Sequence, residues 1–306
     1  MIFTMLMISI KYFNIKKGIW FIKTAREAQM VFENLIRESI ASGSFYPADP
    51  DPLKNQVKDF MNNAEPLGLH NIKAIVSPHA GYTYSGQIAA CSFKQVAGIK
   101  YDSIIIIAPS HAEYFDYISI YHGDAYETPL GPVEIDKDRA DALTESSPLI
   151  QKSAYGHRGE HSLEVQLPFL QVIFGKYIKI VPVVIGNQSR KNIEELGRIA
   201  GELFSNDNIL IIASTDLSHY HPYETASGLD GKVAGLIGSF DTGGLMEEFT
   251  AGTAEMCGGG PVLSAMIASK AMGANSSKII KYSNSGDISG DRSSVVGYLS
   301  AVFYKK

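Results

Sequence analysis

Three short runs of β-branched residues each end beside a histidine, and this repeat constrains the fold more than any other feature. Ala74-Ile75-Val76 leads to His79 in IKAIVSPHAGYTYSG, Ile104 to Ile107 lead to His111 in SIIIIAPSH, and Ile209 to Ile212 lead to His219 in ILIIASTDLSHY. Continuous apolar runs of this length read as strands buried on both faces, the pattern of a parallel sheet. Each histidine then falls just past the carboxyl end of its strand, the edge where open α/β sheets bind ligands. One histidine in that position is ordinarily a loop residue. Three delivered to one edge suggest a metal or proton-transfer site. Tyr82, Tyr84 and Ser85 follow the first, and Tyr220, His221 and Tyr223 the third, as the lining of a pocket would require.

The rest of the chain fits an ordinary enzyme-sized α/β protein. It has 306 residues, of which 45% are hydrophobic and 19% charged, enough for a sizeable core. The net charge of −5 and the lack of a basic stripe argue against a nucleic-acid surface. Cys91 and Cys257 are the only cysteines, which suits a reducing cytoplasm rather than a disulfide framework. CxxC, HExxH, GxxxxGK[ST] and GxGxxG are all missing from the sequence. The first residues, MIFTMLMISIKYF, are apolar but too short to span a bilayer. The lysines at 11, 16 and 17 follow this run, whereas a signal peptide carries its charge before it. An upstream start outside the folded core is the preferred reading, and a surface-lying amphipathic segment the alternative.

Periodicity predicts alternating elements. Residues 24–37 read as a helix, followed by the turn-rich SGSFYPADPDP and a helix from Leu53 to Asn62. Strands are expected at 72–77, 103–108, 116–121, 178–185, 208–214, 278–283 and 294–303. Helices are expected at 85–97, 136–146, 160–174, 190–205, 223–239, 243–250 and 260–272. The alternation predicts an α/β fold, a mostly parallel central sheet with helices on both faces. The expected division is an N-terminal extension over 1–37 and a single domain over 38–306.

Other residues carry chemistry in this reading. Cys257, in EMCGGGPVLSAM, stands before a helix with Pro261 in its first turn. The positive end of the helix dipole there favours thiolate, although a buried cysteine is more often a small apolar residue. Cys91, on the apolar face of a helix, reads as core. Asp216 stands three residues before His219, placed to orient a pocket histidine or to cap a turn. Ser85 is placed to cap the following helix. Glu160, His161 and Glu164 open the segment GEHSLEVQLPFLQVIFG. Acidic residues suit a first turn, but on a helix His161 and Glu164 would share a face and point into the cleft. His70, His122, His157 and His221 read as surface residues.

SGSFYPADP, SPHAGYTYSG, APSH, TPLGPVEID, EHSLEVQLPFL, STDLSHY, Cys257-Gly258 and SGDISGDRSSVVGYLS occur in this order and together resemble the Memo family. Prokaryotic members of that family are labelled protein B of the AmmeMemoRadiSam system. The resemblance runs from about Ala41 to Phe303. It implies a fold like that of the class III (LigB-type) extradiol dioxygenases, which use non-haem iron. It implies His79, His111 and Cys257 as metal ligands, His219 as an acid or base, and Asp216 and Tyr84 at other pocket positions; His161 enters the pocket only by the reading of its own segment above. The dioxygenases complete their ligand set with a carboxylate, and here a cysteine stands at that place. The implied cofactor is one transition metal ion. Iron is expected first, with copper or zinc as alternatives because thiolate softens the site. The function implied is a metal-dependent oxidoreductase. The alternative is a binding module for phosphorylated or acidic peptides, or for an AMMECR-type or radical-SAM partner.

The N-terminal segment carries none of these motifs. Deleting residues 1–30 should leave the melting temperature within a few degrees, as removal of a poorly docked terminus does. A loss of soluble protein would show that the apolar run packs on the core.

Overall fold

The computed structural model describes Lys11–Tyr12, Phe21–Ile22 and residues 35–306. The chain divides after Leu35 into two units. In the first, strands β1 (Lys11–Tyr12) and β2 (Phe21–Ile22) pair antiparallel. Most of the helix expected over 24–37 lies outside the described residues. Its last two, Ile36–Arg37, form strand β3, paired parallel with a strand at Ala125–Tyr126.

The second unit alternates helices and strands. Helix α1 (Pro50–Asn62) starts at the Asp49 cap and leads to β4 (Ile72–Ser77), α2 (Tyr82–Val96) and β5 (Ser103–Pro109). Short strands β6 (Ile118–Ile120), β7 (Ala125–Tyr126) and β8 (Val133–Glu134) precede α3 (Lys137–Ser146) and β9 (Ile150–Lys152). Then come α4 (Leu167–Phe174), β10 (Ile180–Ile185), α5 (Arg190–Leu203), β11 (Ile209–Ser214) and β12 (His219–His221). Helices α6 (Tyr223–Gly238), α7 (Thr242–Thr250) and α8 (Gly259–Ala271) precede β13 (Ser276–Asn284), α9 (Ser285–Ser289) and β14 (Val295–Tyr304).

Among the described residues the main sheet holds nine strands in the open order β12-β14-β4-β11-β5-β10-β6-β9, with β13 on β14. The four central strands, β4, β11, β5 and β10, are parallel. The flanks turn antiparallel, with β14 against β4 and β6 against β10. Alternation along each central strand feeds two cores. Ile105, Ile107, Ile209 and Ile211 face Leu196 and Ile199 of α5 and Val262 and Leu263 of α8. Ile104, Ile106, Leu210 and Ile212 face Leu53 and Val57 of α1 and Phe93 of α2. Helices therefore cover both faces, as expected. No described helix is long and apolar enough to cross a membrane.

Three local expectations change. Helix α2 begins at Tyr82, not after Ser85, so Ser85 does not cap it and its hydroxyl donates instead to the Ala80 carbonyl (2.8 Å). The expected helix 160–174 is helical only from a 3-10 turn at Glu164–Gln166 onward, with α4 proper starting at Leu167. Pro168 lacks an N–H and belongs in a first turn, which is where it stands. His157 is not on the surface but 1% exposed. Its Nδ1 accepts from the Tyr126 hydroxyl (2.5 Å) and its Nε2–H donates to the Ser119 carbonyl (3.3 Å).

Burial pushes the His157 imidazole down to about 3. In the unfolded chain it takes up its proton near pH 6.5. The stability held by the neutral ring is therefore full above pH 6.5 and is lost as pH falls from 6.5 towards 3. His157→Gln should make the denaturant midpoint less dependent on pH over that window. An equally steep acid loss in the variant would assign the effect to other groups.

Candidate metal and proton-transfer site

The register of the central strands builds the site. Ser214 of β11 pairs with Ser77 of β4, and Ala213 with Ile107 of β5. The three strands therefore end nearly level. His79, His111 and Asp216 each lie two residues past a strand end and meet at one edge.

His79 is buried, and its ring is held by a fixed set of hydrogen bonds. The Ser214 hydroxyl donates to the Ser162 carbonyl (2.7 Å) and accepts from the Gln166 side-chain amide (2.9 Å). With that proton committed, the 2.9 Å contact between His79 Nδ1 and Ser214 Oγ must be donated by the ring. His79 Nε2 is thereby left as the bare nitrogen. Burial drives the His79 imidazole well below its usual range, and the charges of His111, His161 and His219 push the same way.

His111 is oriented by a carboxylate. Glu160 accepts from His111 Nδ1 (2.9 Å) and from its backbone N–H (2.5 Å), and also from the Ser162 N–H (2.9 Å). Burial alone would raise the Glu160 carboxyl, but these bonds hold it at about 2. Burial opposes charge on His111, and Glu160 outweighs it and raises the imidazole. With Nδ1 occupied, Nε2 is the nitrogen that the neutral His111 ring leaves bare.

The third imidazole is His161. One donor atom from each of His79, His111 and His161 lies within 4.8 Å of the others. The His161 ring stacks between Phe45 (4.3 Å between centroids) and His111 (5.0 Å), and its Nδ1 is 3.5 Å from Glu160 Oε1. Glu164 does not share its face. Residues 160–163 are not helical, so the three-residue spacing turns the two apart. The Glu164 carboxylate is instead buried against Arg37, Ser39, Tyr46 and the backbone N–H groups of Ile40 and Ala41.

Cys257 reaches this group through His79, its Sγ 3.1 Å from Nε2. The Asp216 N–H donates to Sγ (3.2 Å), and the loop before α8 is pinned by Gly258 N–H on the Thr215 hydroxyl (2.9 Å). Burial and the nearby Asp216 push the thiol above its usual range, opposite to the helix-dipole expectation. The dipole effect fades within a turn, whereas desolvation acts fully on an enclosed sulfur.

Asp216 is 4% exposed and accepts from the His79 N–H (2.8 Å), with its other oxygen 4.0 Å from His79 Nε2. Burial lifts its carboxyl to about 7 against the pull of the His79 and Ala80 N–H groups. It orients His79 rather than His219. His219 donates from Nδ1 to the Leu217 carbonyl (2.7 Å), which leaves Nε2 as its acceptor. Tyr84, in the first turn of α2, is 42% exposed.

Glu160 was legible only as a first-turn acid, and Ser214 and Gln166 carried no signal at all. Their roles arise from pairings across 49, 135 and 48 residues of chain. The PSH and EHS motifs held the partners but not the fact that they meet.

Comparisons with known proteins agree with this architecture. Residues 37–302 match the family model described as Memo-like protein. A MEMO1 family protein of Methanosarcina barkeri is 36% identical over 269 residues, covering 87% of this chain and 99% of its own. One from Methanopyrus kandleri is 37% identical, with 87% and 98% covered, and one from Aquifex aeolicus 37%, with 88% and 99% covered. The crystal structure of an uncharacterized protein from Escherichia coli K12 superposes with a TM-score of 0.52 over 76% of this chain and 99% of that one. At 16% identity, that likeness concerns the fold alone. With the family model spanning nearly all of the second unit and relatives matched almost end to end, the chain belongs to the Memo-like protein family.

Proposed function

We propose that this chain is a metal-dependent oxidoreductase whose metal is held by the Nε2 atoms of His79 and His111 with His161 beside them, Cys257 closing the site on the His79 side. The observation that carries this reading is the meeting of three imidazoles within 4.8 Å, two of them with Nδ1 already committed. Ligands of a single ion at about 2.0–2.3 Å stand roughly 3–4 Å apart, so the donor set fits one ion with small adjustments. A carboxylate on the far nitrogen of His111 is the usual support for a ligating histidine.

Imidazoles with a thiol suit iron, copper or zinc, and iron is our first expectation. Such an ion supplies Lewis acidity to a substrate oxygen and, for iron or copper, electron transfer. The protein's own groups then handle protons. Asp216, with its carboxyl near 7, exchanges a proton close to neutral pH. His219 accepts a proton at Nε2, its ring held by Leu217. Burial keeps His219 neutral and ready to act as a base.

The purified protein should contain about one transition metal per chain by elemental analysis, the stoichiometry of a single catalytic site. His79→Ala, His111→Ala and His161→Ala should lose most of it, and Cys257→Ala should lose part. His219→Ala should keep its metal and lose any oxygen consumption found against a panel of catechols. Unchanged metal content across the ligand variants would sink the proposal, and a His219→Ala protein without metal would make His219 a ligand.

A further inference from the structure

The loop that carries Glu160 and His161 has no regular secondary structure from Gly159 to Ser162, yet it supplies both an anchor and a member of the histidine cluster. Something outside the loop must hold it. Arg37, 5% exposed and from the first strand of the unit, contacts this loop and the residues on either side of it.

Arg37 makes three contacts to this one stretch of chain. Its Nε donates to the His157 carbonyl (2.9 Å), its Nη2 to the Glu160 carbonyl (2.5 Å), and its Nη1 to the Glu164 carboxylate. Nη1 also donates to the Glu38 carbonyl (3.0 Å), which ties the guanidinium to its own strand. Strand pairing sets Arg37 opposite Tyr126, and the guanidinium lies over that ring at 4.9 Å. Glu164 then staples the segment after Arg37 through Ser39, Ile40, Ala41 and Tyr46. That staple brings Phe45 onto the His161 ring, and the Phe45 carbonyl accepts from the Tyr82 N–H at the start of α2.

We propose that Arg37 is the positioning residue of the histidine cluster: by fixing the Glu160–His161 peptide it sets where the Glu160 carboxylate and the His161 ring stand. The proposal deepens the metal-site reading above and rests on it for its consequence in metal binding. The planar fork is required. One guanidinium offers donors in three directions, and a lysine ammonium on a flexible stem cannot serve three separated acceptors in one geometry. The first described strand of the second unit is thus tied to a site more than 120 residues further along the chain.

The test uses the full chain as Arg37→Lys and Arg37→Gln, with Tyr126→Phe as a control that perturbs the same neighbourhood without touching the guanidinium bonds. Two readouts are taken. Histidine ring ¹⁵N shifts of metal-free protein report the tautomers of His111 and His161. Competition with a chelator reports the affinity for Co²⁺. In both Arg37 variants the fixed Nδ1–H form of His111 should give way to a mixture, and Co²⁺ affinity should fall about 10–100-fold, the usual cost of losing support behind a metal ligand. Tyr126→Phe should keep both. If Arg37→Lys keeps the wild-type ring signals, the proposal is overturned, whatever happens to its melting temperature. Should Arg37→Gln fail to fold, Arg37→Lys retains the charge and the stem and decides the matter. If wild type binds no Co²⁺ but the ring signals still shift in Arg37→Lys, the positioning role stands and the metal reading falls.

Discussion

Parallel pairing of β4, β11 and β5 with their ends level is the constraint on which the site depends. Ser77 opposite Ser214, and Ile107 opposite Ala213, fix the height at which each chain leaves the sheet. A slip of one residue would turn every side chain of the strand to the other face. It would put Ile105 where Ile106 now packs and break two cores at once, because both faces are buried under helices. The apolar register is therefore what holds His79, His111 and Asp216 at one height. The chemistry at the edge inherits its precision from packing that has no chemical role.

Buried carboxylates supply the second layer of order. Glu164 has the Arg37 guanidinium and four further donors, and burial, which would raise its carboxyl, is outweighed so that it stays ionised. Glu160 is held at about 2 by His111 and two backbone N–H groups. Asp216 has backbone donors but no cation of its own, and it sits at about 7. Asp230, fully buried, accepts from the Ser218 N–H (2.9 Å) and the Tyr282 hydroxyl (2.8 Å). It steadies the turn before His219, and its approach leaves no room for a Cβ at Gly297 (2.0 Å). An isolated buried charge is costly, so each carboxylate demands its partners and freezes the loops that bring them. Irregular segments around the site are thereby ordered without secondary structure.

The division of roles among the histidines follows from these contacts. His79, His111 and His161 converge, and two of them are locked through Nδ1. The His219 ring donates through Nδ1 to the Leu217 carbonyl, which leaves its Nε2 as an acceptor. His157, chemically identical, is a neutral core residue between Tyr126 and Ser119. The same imidazole stands in three different settings because its partners differ.

Local pattern sufficed for the elements. Apolar runs of three or four residues rich in β-branched side chains read as buried strands, and a histidine just past such a run falls at the sheet's edge. The sequence by itself thus determined the α/β alternation, the central parallel strands and the presence of His79 and His111 at one edge. It misplaced what depends on non-local partners. His157 has no sequence pattern that announces Tyr126 and Ser119, and Glu164 none that announces Arg37. Which nitrogen each histidine presents, whether Cys257 is thiol or thiolate, and whether His161 joins the cluster were decided only by the tertiary structure. Tautomers and buried charges answer to hydrogen bonds and desolvation, and both are set largely by groups that the chain brings together from tens to more than a hundred residues away.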